Sequence, residues 1–250
     1  CQPSGRPLVN NIGARLLDGL FPHHCALCGL RSHRQVPLCL ACESEMPVNQ
    51  HCCARCAIPL PAMVESATVR FCGSCLHTPP PFDRVIAPWL YEEYLAHLIH
   101  QWKFYRERRM TALLAALWQQ RAEPHAQVDL LVPVPLHWRK RWQRGFNQSE
   151  LLCRQLHATC PALKSCKLAH RLVRRQRSTA AQSGMSARQR AGNLKGAFKV
   201  CGSCDKLRIA IVDDVLTTGA TAAAVAEALA AAGASYIEVW CLARTPSPGA

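Results

Sequence analysis

Four CxxC pairs within the first 75 residues constrain this chain more than any other feature. Cys25 and Cys28 are followed by Cys39 and Cys42, and Cys53 and Cys56 by Cys72 and Cys75, which makes two sets of four thiols. A CxxC turn places two sulfurs on one side of a metal ion, and a second turn completes the tetrahedron that zinc accepts. Residues 1 to 80 are otherwise rich in Cys, His, Pro and short polar turns and poor in large apolar side chains. Burial alone does not hold such a segment, whereas structural zinc contributes on the order of 10 kcal/mol or more to the folding of modules like it. The pattern therefore predicts two structural zinc ions, one on Cys25, Cys28, Cys39 and Cys42, the other on Cys53, Cys56, Cys72 and Cys75. Cys52, His23, His24 and His51 adjoin these sets and remain alternative ligands, and an iron–sulfur cluster is the other chemistry such thiols serve.

The chain has 250 residues and sixteen cysteines. A disulfide scaffold is expected in small secreted proteins, and neither the length nor the first residues, which lack a charged start and an apolar stretch, suit one. A reducing, cytoplasmic setting is expected instead. No apolar run approaches the roughly 20 residues needed to cross a bilayer. Thirty Lys and Arg against sixteen Asp and Glu give a formal charge of +14. Eight thiolates and two zinc ions together subtract about 4, so the chain stays basic at about +10. Polyphosphates and nucleic acids are the partners that such a balance favours.

Pro79, Pro80 and Pro81 form a stiff break, which divides the chain into a double zinc ribbon over 1–80 and a second domain over 81–250. Beyond the break, residues 84–91 read as a strand, and Leu95, Leu98, Ile99 and Trp102 fall on one helical face. A second helix is expected over 110–121, an apolar strand over 128–134, a helix over 149–157 and a short strand over 168–173. Residues 207–212 are a continuous aliphatic run, 221–232 an Ala-rich helix ending at Gly233, and 236–242 a further strand. Strand, helix and strand at this spacing form a βαβ unit, and aliphatic runs of this kind suit a parallel sheet covered on both faces. The fold class is α/β.

The string IAIVDDVLTTGAT, residues 209–221, carries the most specific chemistry in the second domain. A buried strand delivers Asp213 and Asp214 at its carboxyl end, and a turn of small hydroxyl residues then opens a helix. Thr217, Thr218, Gly219, Ala220 and Thr221 present backbone N–H groups and hydroxyls to a phosphate, and the helix N-terminus adds its partial positive charge. Two carboxylates beside a bare phosphate are unfavourable, but they suit sugar hydroxyls or Mg²⁺. The constellation reads as a ribose-phosphate site.

A second constellation lies between Pro135 and Gln148, where Trp138 and Trp142 alternate with Arg139, Lys140, Arg141 and Arg144 ahead of Gly145, Phe146 and Asn147. Three readings compete. Exposed indoles and cations track a single strand of nucleic acid, with stacking worth about 1 to 3 kcal/mol per base. The cations instead bind pyrophosphate. Or the tryptophans, four residues apart, pack into the core while the cations are solvated. Residues 174–195 form a further basic stretch, including Arg174, Arg175, Gln182, Arg190 and Asn193, that serves either as a loop closing over a substrate or as a solvated linker.

The 209–221 string resembles the phosphoribosyl pyrophosphate (PRPP) signature of type I phosphoribosyltransferases. Together with the paired CxxC sets, the segment VPVPLHWRKRWQRGFNQSELL and the C-terminal strand, nearly the whole chain is similar to the ComF family, near its GntX branch. The resemblance implies a double zinc ribbon before a type I phosphoribosyltransferase-like parallel sheet of five strands, with ligand at the strands' carboxyl ends. It implies that Asp213 and Asp214 hold ribose hydroxyls, that residues 217–221 cradle the 5′-phosphate of PRPP accompanied by Mg²⁺, and that Arg139, Lys140, Arg141, Arg144, Asn147, Gln148 and Arg190 contact pyrophosphate or nucleic acid. The function implied is PRPP and single-stranded DNA binding in DNA uptake (competence) or DNA utilisation, with DNA-uptake or helicase proteins as partners. The alternative is an active phosphoribosyltransferase using a nucleobase or amine acceptor. No residue stands out as a general base, so the catalytic set stays open.

Overall fold

The structure, a computed structural model, describes residues 23–34, 36–61, 70–105, 108–122, 127–136, 142, 144–176, 194 and 196–246. The chain divides into two compact units, residues 1–46 and 47–250, so the second cysteine set belongs to the same unit as the sheet.

In the smaller unit the Cys25–Cys28 turn is closed by Cys25 N–H donating to the Leu30 carbonyl at 2.7 Å and Gly29 N–H donating to the Cys25 carbonyl at 2.9 Å. Gly29 takes φ +73°, a conformation that glycine enters freely. Cys39 then caps helix α1 (Leu40–Ser44). The larger unit repeats the device. Cys53 N–H donates to the Ile58 carbonyl and Ala57 N–H to the Cys53 carbonyl, both at 2.9 Å, and Cys72 precedes helix α2 (Gly73–His77).

The sheet is parallel throughout. Its strands are β1 (Arg84–Ile86), β2 (Trp89–Leu90), β3 (Leu130–Pro133), β4 (Lys167–Leu168), β7 (Arg208–Leu216) and β8 (Tyr236–Arg244), in the order β1-β8-β7-β3-β4 with β2 also along β8. The expected 84–91 strand is thus two pieces sharing one edge, interrupted at Ala87 and Pro88, so the six strands occupy five positions. The interruption is filled from residues 47–49. Asn49 N–H donates to the Pro88 carbonyl and Leu90 N–H to the Pro47 carbonyl, both at 2.9 Å, and Asn49 Nδ2 bridges the carbonyls of Ala57 and Ala87 at 2.8 and 3.0 Å. Strands β5 (Val173–Arg175) and β6 (Phe198–Val200) form a separate antiparallel pair.

Alternation along the strands sends successive side chains to opposite faces. Ile209, Ile211, Ile237 and Val239 pack with Ala222, Val225, Ala226 and Leu229 of helix α6 (Ala220–Ala231), whose alanines allow close approach to the sheet. On the opposite face Trp240 meets Trp118 of helix α4 (Arg108–Arg121), with ring centroids 5.3 Å apart. Helix α3 (Glu93–Tyr105) buries Leu95, Leu98, Ile99 and Trp102 completely, as its spacing predicts. Helix α5 (Gln148–Thr159) begins at Asn147, whose Oδ1 accepts from Ser149 N–H at 3.2 Å while Nδ2 donates to the Val134 carbonyl at 3.0 Å. The result is an α/β fold with a parallel sheet covered on both faces, preceded by a cysteine-rich region with two four-thiol clusters.

Candidate functional site

Both cysteine sets assemble. The four sulfurs of each lie within 4.8 Å of one another, with Cys28 Sγ 3.8 Å from Cys39 Sγ and Cys56 Sγ 3.6 Å from Cys72 Sγ. Four thiolates about 2.3 Å from a tetrahedral zinc stand about 3.8 Å apart, so the residues present fit that ion. Backbone N–H groups already turn toward these sulfurs, Cys42 N–H to Cys39 Sγ at 3.4 Å and Cys72 N–H to Cys53 Sγ at 3.2 Å. Among the described residues neither group takes in a histidine or an acid, and Cys52, His23, His24 and His51 stand outside both. The chemistry such an ion supplies is cross-linking.

Strand β7 does not stop where its charges begin. It pairs with β8 through Asp213 opposite Cys241 and on to Leu216 opposite Arg244, so both aspartates are strand residues and the turn starts at Thr217. Asp213 Oδ1 accepts from Ser149 Oγ at 3.0 Å and from Asp214 N–H at 2.9 Å. Asp214 Oδ2 lies 2.6 Å from Lys103 Nζ of α3, and its Oδ1 accepts from Val215 N–H at 2.7 Å. Burial pushes the Asp213 carboxyl up to about 7 and the Asp214 charge adds to the rise, against the opposing hydrogen bonds and the Lys103 charge. The pair is therefore a preorganised acidic site that carries its own cation.

The turn after β7 opens a helix. Thr217 and Thr218 are exposed. Gly219 takes φ +77° with open space where a Cβ would stand, so the turn needs glycine for its backbone rather than for packing. Helix α6 opens at Gly219 with no side-chain cap, which leaves its first-turn amides and the positive end of its dipole to be satisfied from outside the helix. Among the described residues, the first-turn amide that meets a side chain is Ala220 N–H, which donates to Thr218 Oγ1 at 3.4 Å.

Thr217, Thr218, Gly219 and Ala220 line a cleft of about 550 Å³ at the carboxyl ends of β7 and β8; its other wall includes Cys56, Cys72 and Cys75. Asp213, Asp214 and Thr221 are not part of that wall. The sequence string is thus split: the acids meet α3 and α5, and the threonine turn faces the second cysteine set.

The basic segment is only partly described. Arg139, Lys140, Arg141 and Trp138 lie outside the described residues, as does Arg190. Arg144 is half-buried, and Trp142 is 84% exposed, so the core-packing reading fails for Trp142. Asn147 and Gln148 are buried at the start of α5, Asn147 as the cap described above.

Three residues escaped the sequence reading. Lys103 falls four residues after Ile99, where the apolar stripe of α3 would continue, and a cation interrupting such a stripe is a usable signal. Ser149 adjoins a cap, the usual place for a structural hydroxyl. Arg244 ends an apolar strand and carried no signal, because its partners are remote in sequence.

A cysteine-rich double ribbon joined to a parallel α/β sheet, with an uncapped helix start after an acidic strand end, defines a recognisable class of two-part protein. Residues 16–76 match the double zinc ribbon domain family. Over 83% of this chain and 90% of each relative, the sequence is 38% identical to the DNA utilization protein YhgH of Salmonella typhi, 37% to YhgH of Escherichia coli K12 and 34% to Competence protein F of Haemophilus influenzae. The chain belongs to the ComF family. No helix among the described residues is long and apolar enough to cross a membrane.

Proposed function

We propose that this chain is a PRPP-binding protein that also holds single-stranded DNA, acting in DNA uptake or utilisation. The observation that carries the reading is the uncapped start of α6, opened at the carboxyl ends of β7 and β8 by a Thr-Thr-Gly turn with both threonines exposed and preceded along β7 by Asp213 and Asp214. Amides there satisfy the 5′-phosphate and the acids accept from ribose hydroxyls. Lys103 offsets one carboxylate, and Mg²⁺ enters with the pyrophosphate of the ligand. The exposed Trp142 beside a run of cations supports strand binding by stacking and phosphate contact. The relatives named for DNA utilization and competence support the biological setting.

PRPP with Mg²⁺ should raise the melting temperature, and Asp214→Ala should abolish that rise; no shift at millimolar PRPP refutes the ligand. Binding to a single-stranded oligonucleotide should weaken steeply with salt, and Arg139, Arg141 and Arg144 changed together to Ala should flatten the slope by about 3 phosphate contacts' worth. A salt-insensitive interaction refutes the strand reading.

The cleft beside the turn supports a second reading, in which a small nucleobase or amine acceptor sits next to PRPP and is phosphoribosylated with loss of pyrophosphate. A PRPP-dependent pyrophosphate-release screen over bases and DNA fragments decides between binding and turnover.

A further inference from the structure

Arg244, the last residue of β8, is 6% exposed, and its guanidinium is held by carbonyls alone. Nε donates to the Cys56 carbonyl at 3.1 Å. Nη1 donates to the carbonyls of Leu216 at 2.9 Å, Thr245 at 2.9 Å and Thr217. Among the described residues no carboxylate pairs with it. One side chain thus joins a residue of the second cysteine set to the last residue of β7 and the first residue of the turn that follows it.

We propose that Arg244 is a positioning residue that makes the 217–220 turn depend on metal occupancy of Cys53, Cys56, Cys72 and Cys75. The physical chain is short. Metal binding fixes the Cys53–Cys56 turn and with it the Cys56 carbonyl, which accepts one edge of the guanidinium. The guanidinium is a rigid planar fork, so anchoring one edge aims the other. That other edge grips the carbonyls of Leu216 and Thr217. In a trans peptide the N–H points opposite to the C=O, so holding those two carbonyls directs the N–H groups of Thr217 and Thr218 away from Arg244. The unpaired positive charge, lining the same cleft as the turn, adds attraction for an anion there. A lysine presents a compact ammonium without the fork and does not span both segments.

The inference rests on the phosphate reading for its purpose, but its test does not need a ligand. Amide hydrogen exchange over residues 216–222 is followed in the full-length, zinc-loaded protein and in Arg244→Gln, Arg244→Lys and Cys75→Ser, with zinc content measured for each. Cys75→Ser should lose about one zinc and raise exchange across 216–222 roughly tenfold, an opening of the size one well-made hydrogen bond controls. Arg244→Gln and Arg244→Lys should keep both zinc ions and give the same rise. In the double variant Cys75→Ser with Arg244→Gln the two effects should fail to add in this segment, because both break one linkage. Should Cys75→Ser not fold, wild type and Arg244→Gln stripped of zinc by a chelator take the places of the single and double variants, and exchange at 216–222 that is unchanged by stripping the wild type overturns the proposal. Unchanged exchange at 216–222 in Arg244→Gln, or full additivity in the double variant, overturns the proposal. PRPP-induced stabilisation is measured in parallel; its absence from the wild type, with the exchange coupling intact, defeats the ligand reading and leaves the linkage standing.

Discussion

Replacing Asp213 by Asn should stabilise the unliganded protein at alkaline pH. The Asp213 carboxyl rises to about 7 because it is buried beside Asp214. In the fold it keeps a proton that the unfolded chain gives up near pH 4, so between about pH 4 and 7 the native state binds more protons than the unfolded one. Stability therefore falls as pH climbs through that window and stays low above it. Ionising a carboxyl displaced this far costs about 4 kcal/mol, and the partial exposure of the residue, which screens the charge, brings the expected figure to about 2 to 4 kcal/mol. Asn removes the charge, and its Oδ1 still accepts from Ser149 Oγ and Asp214 N–H. Urea unfolding of both proteins, zinc-loaded and without PRPP, at pH 5.5, 6.5, 7.5 and 8.5 isolates the effect as a difference at each pH. The advantage of Asp213→Asn should grow by about 1 to 2 kcal/mol from pH 5.5 to 7.5 and then level off. A variant less stable than wild type at pH 8.5, or an advantage that does not change with pH, refutes the account of the acidic pair.

Lys103→Met removes the ammonium 2.6 Å from Asp214; it should cost about 1 to 3 kcal/mol at pH 8 and extend the fall in stability to higher pH without changing where it begins, read from the same urea series. Asn147→Ala deletes both the α5 cap and the bond to the Val134 carbonyl, and denaturant unfolding should show a loss of about 2 kcal/mol. Elemental analysis should find two zinc ions per chain, and chelation should abolish the protected amides around the Cys25–Cys28 and Cys53–Cys56 turns; retention of that protection after complete metal removal contradicts a structural role.

Much of the fold was legible because local pattern and tertiary outcome agreed. The stripe Leu95, Leu98, Ile99 and Trp102 reads as one buried helical face, and it is one. The aliphatic run ending at Val212 reads as a buried strand, but β7 runs on to Leu216 because backbone pairing with β8 does not depend on side-chain charge. Residues 168–173 read as one strand and instead separate into β4, which joins the main sheet, and β5, which pairs with β6. Alternation cannot distinguish one strand from two that belong to different sheets. The cysteine sets were legible down to their members, since CxxC spacing encodes the geometry of the ligands. Arg244 was not, because its role comes from carbonyls at positions 56 and 216, which only the folded chain brings together.

Residues 47–49, laid along the broken strand at the margin of the sheet, act as a selvedge. Cut away, they would bare the Pro88 carbonyl and the Leu90 amide on either side of Trp89, the kind of edge on which a second molecule adds its own strand. A shortened protein begun at residue 81 should therefore self-associate more than the full-length chain, read as a rise in light scattering at matched concentration.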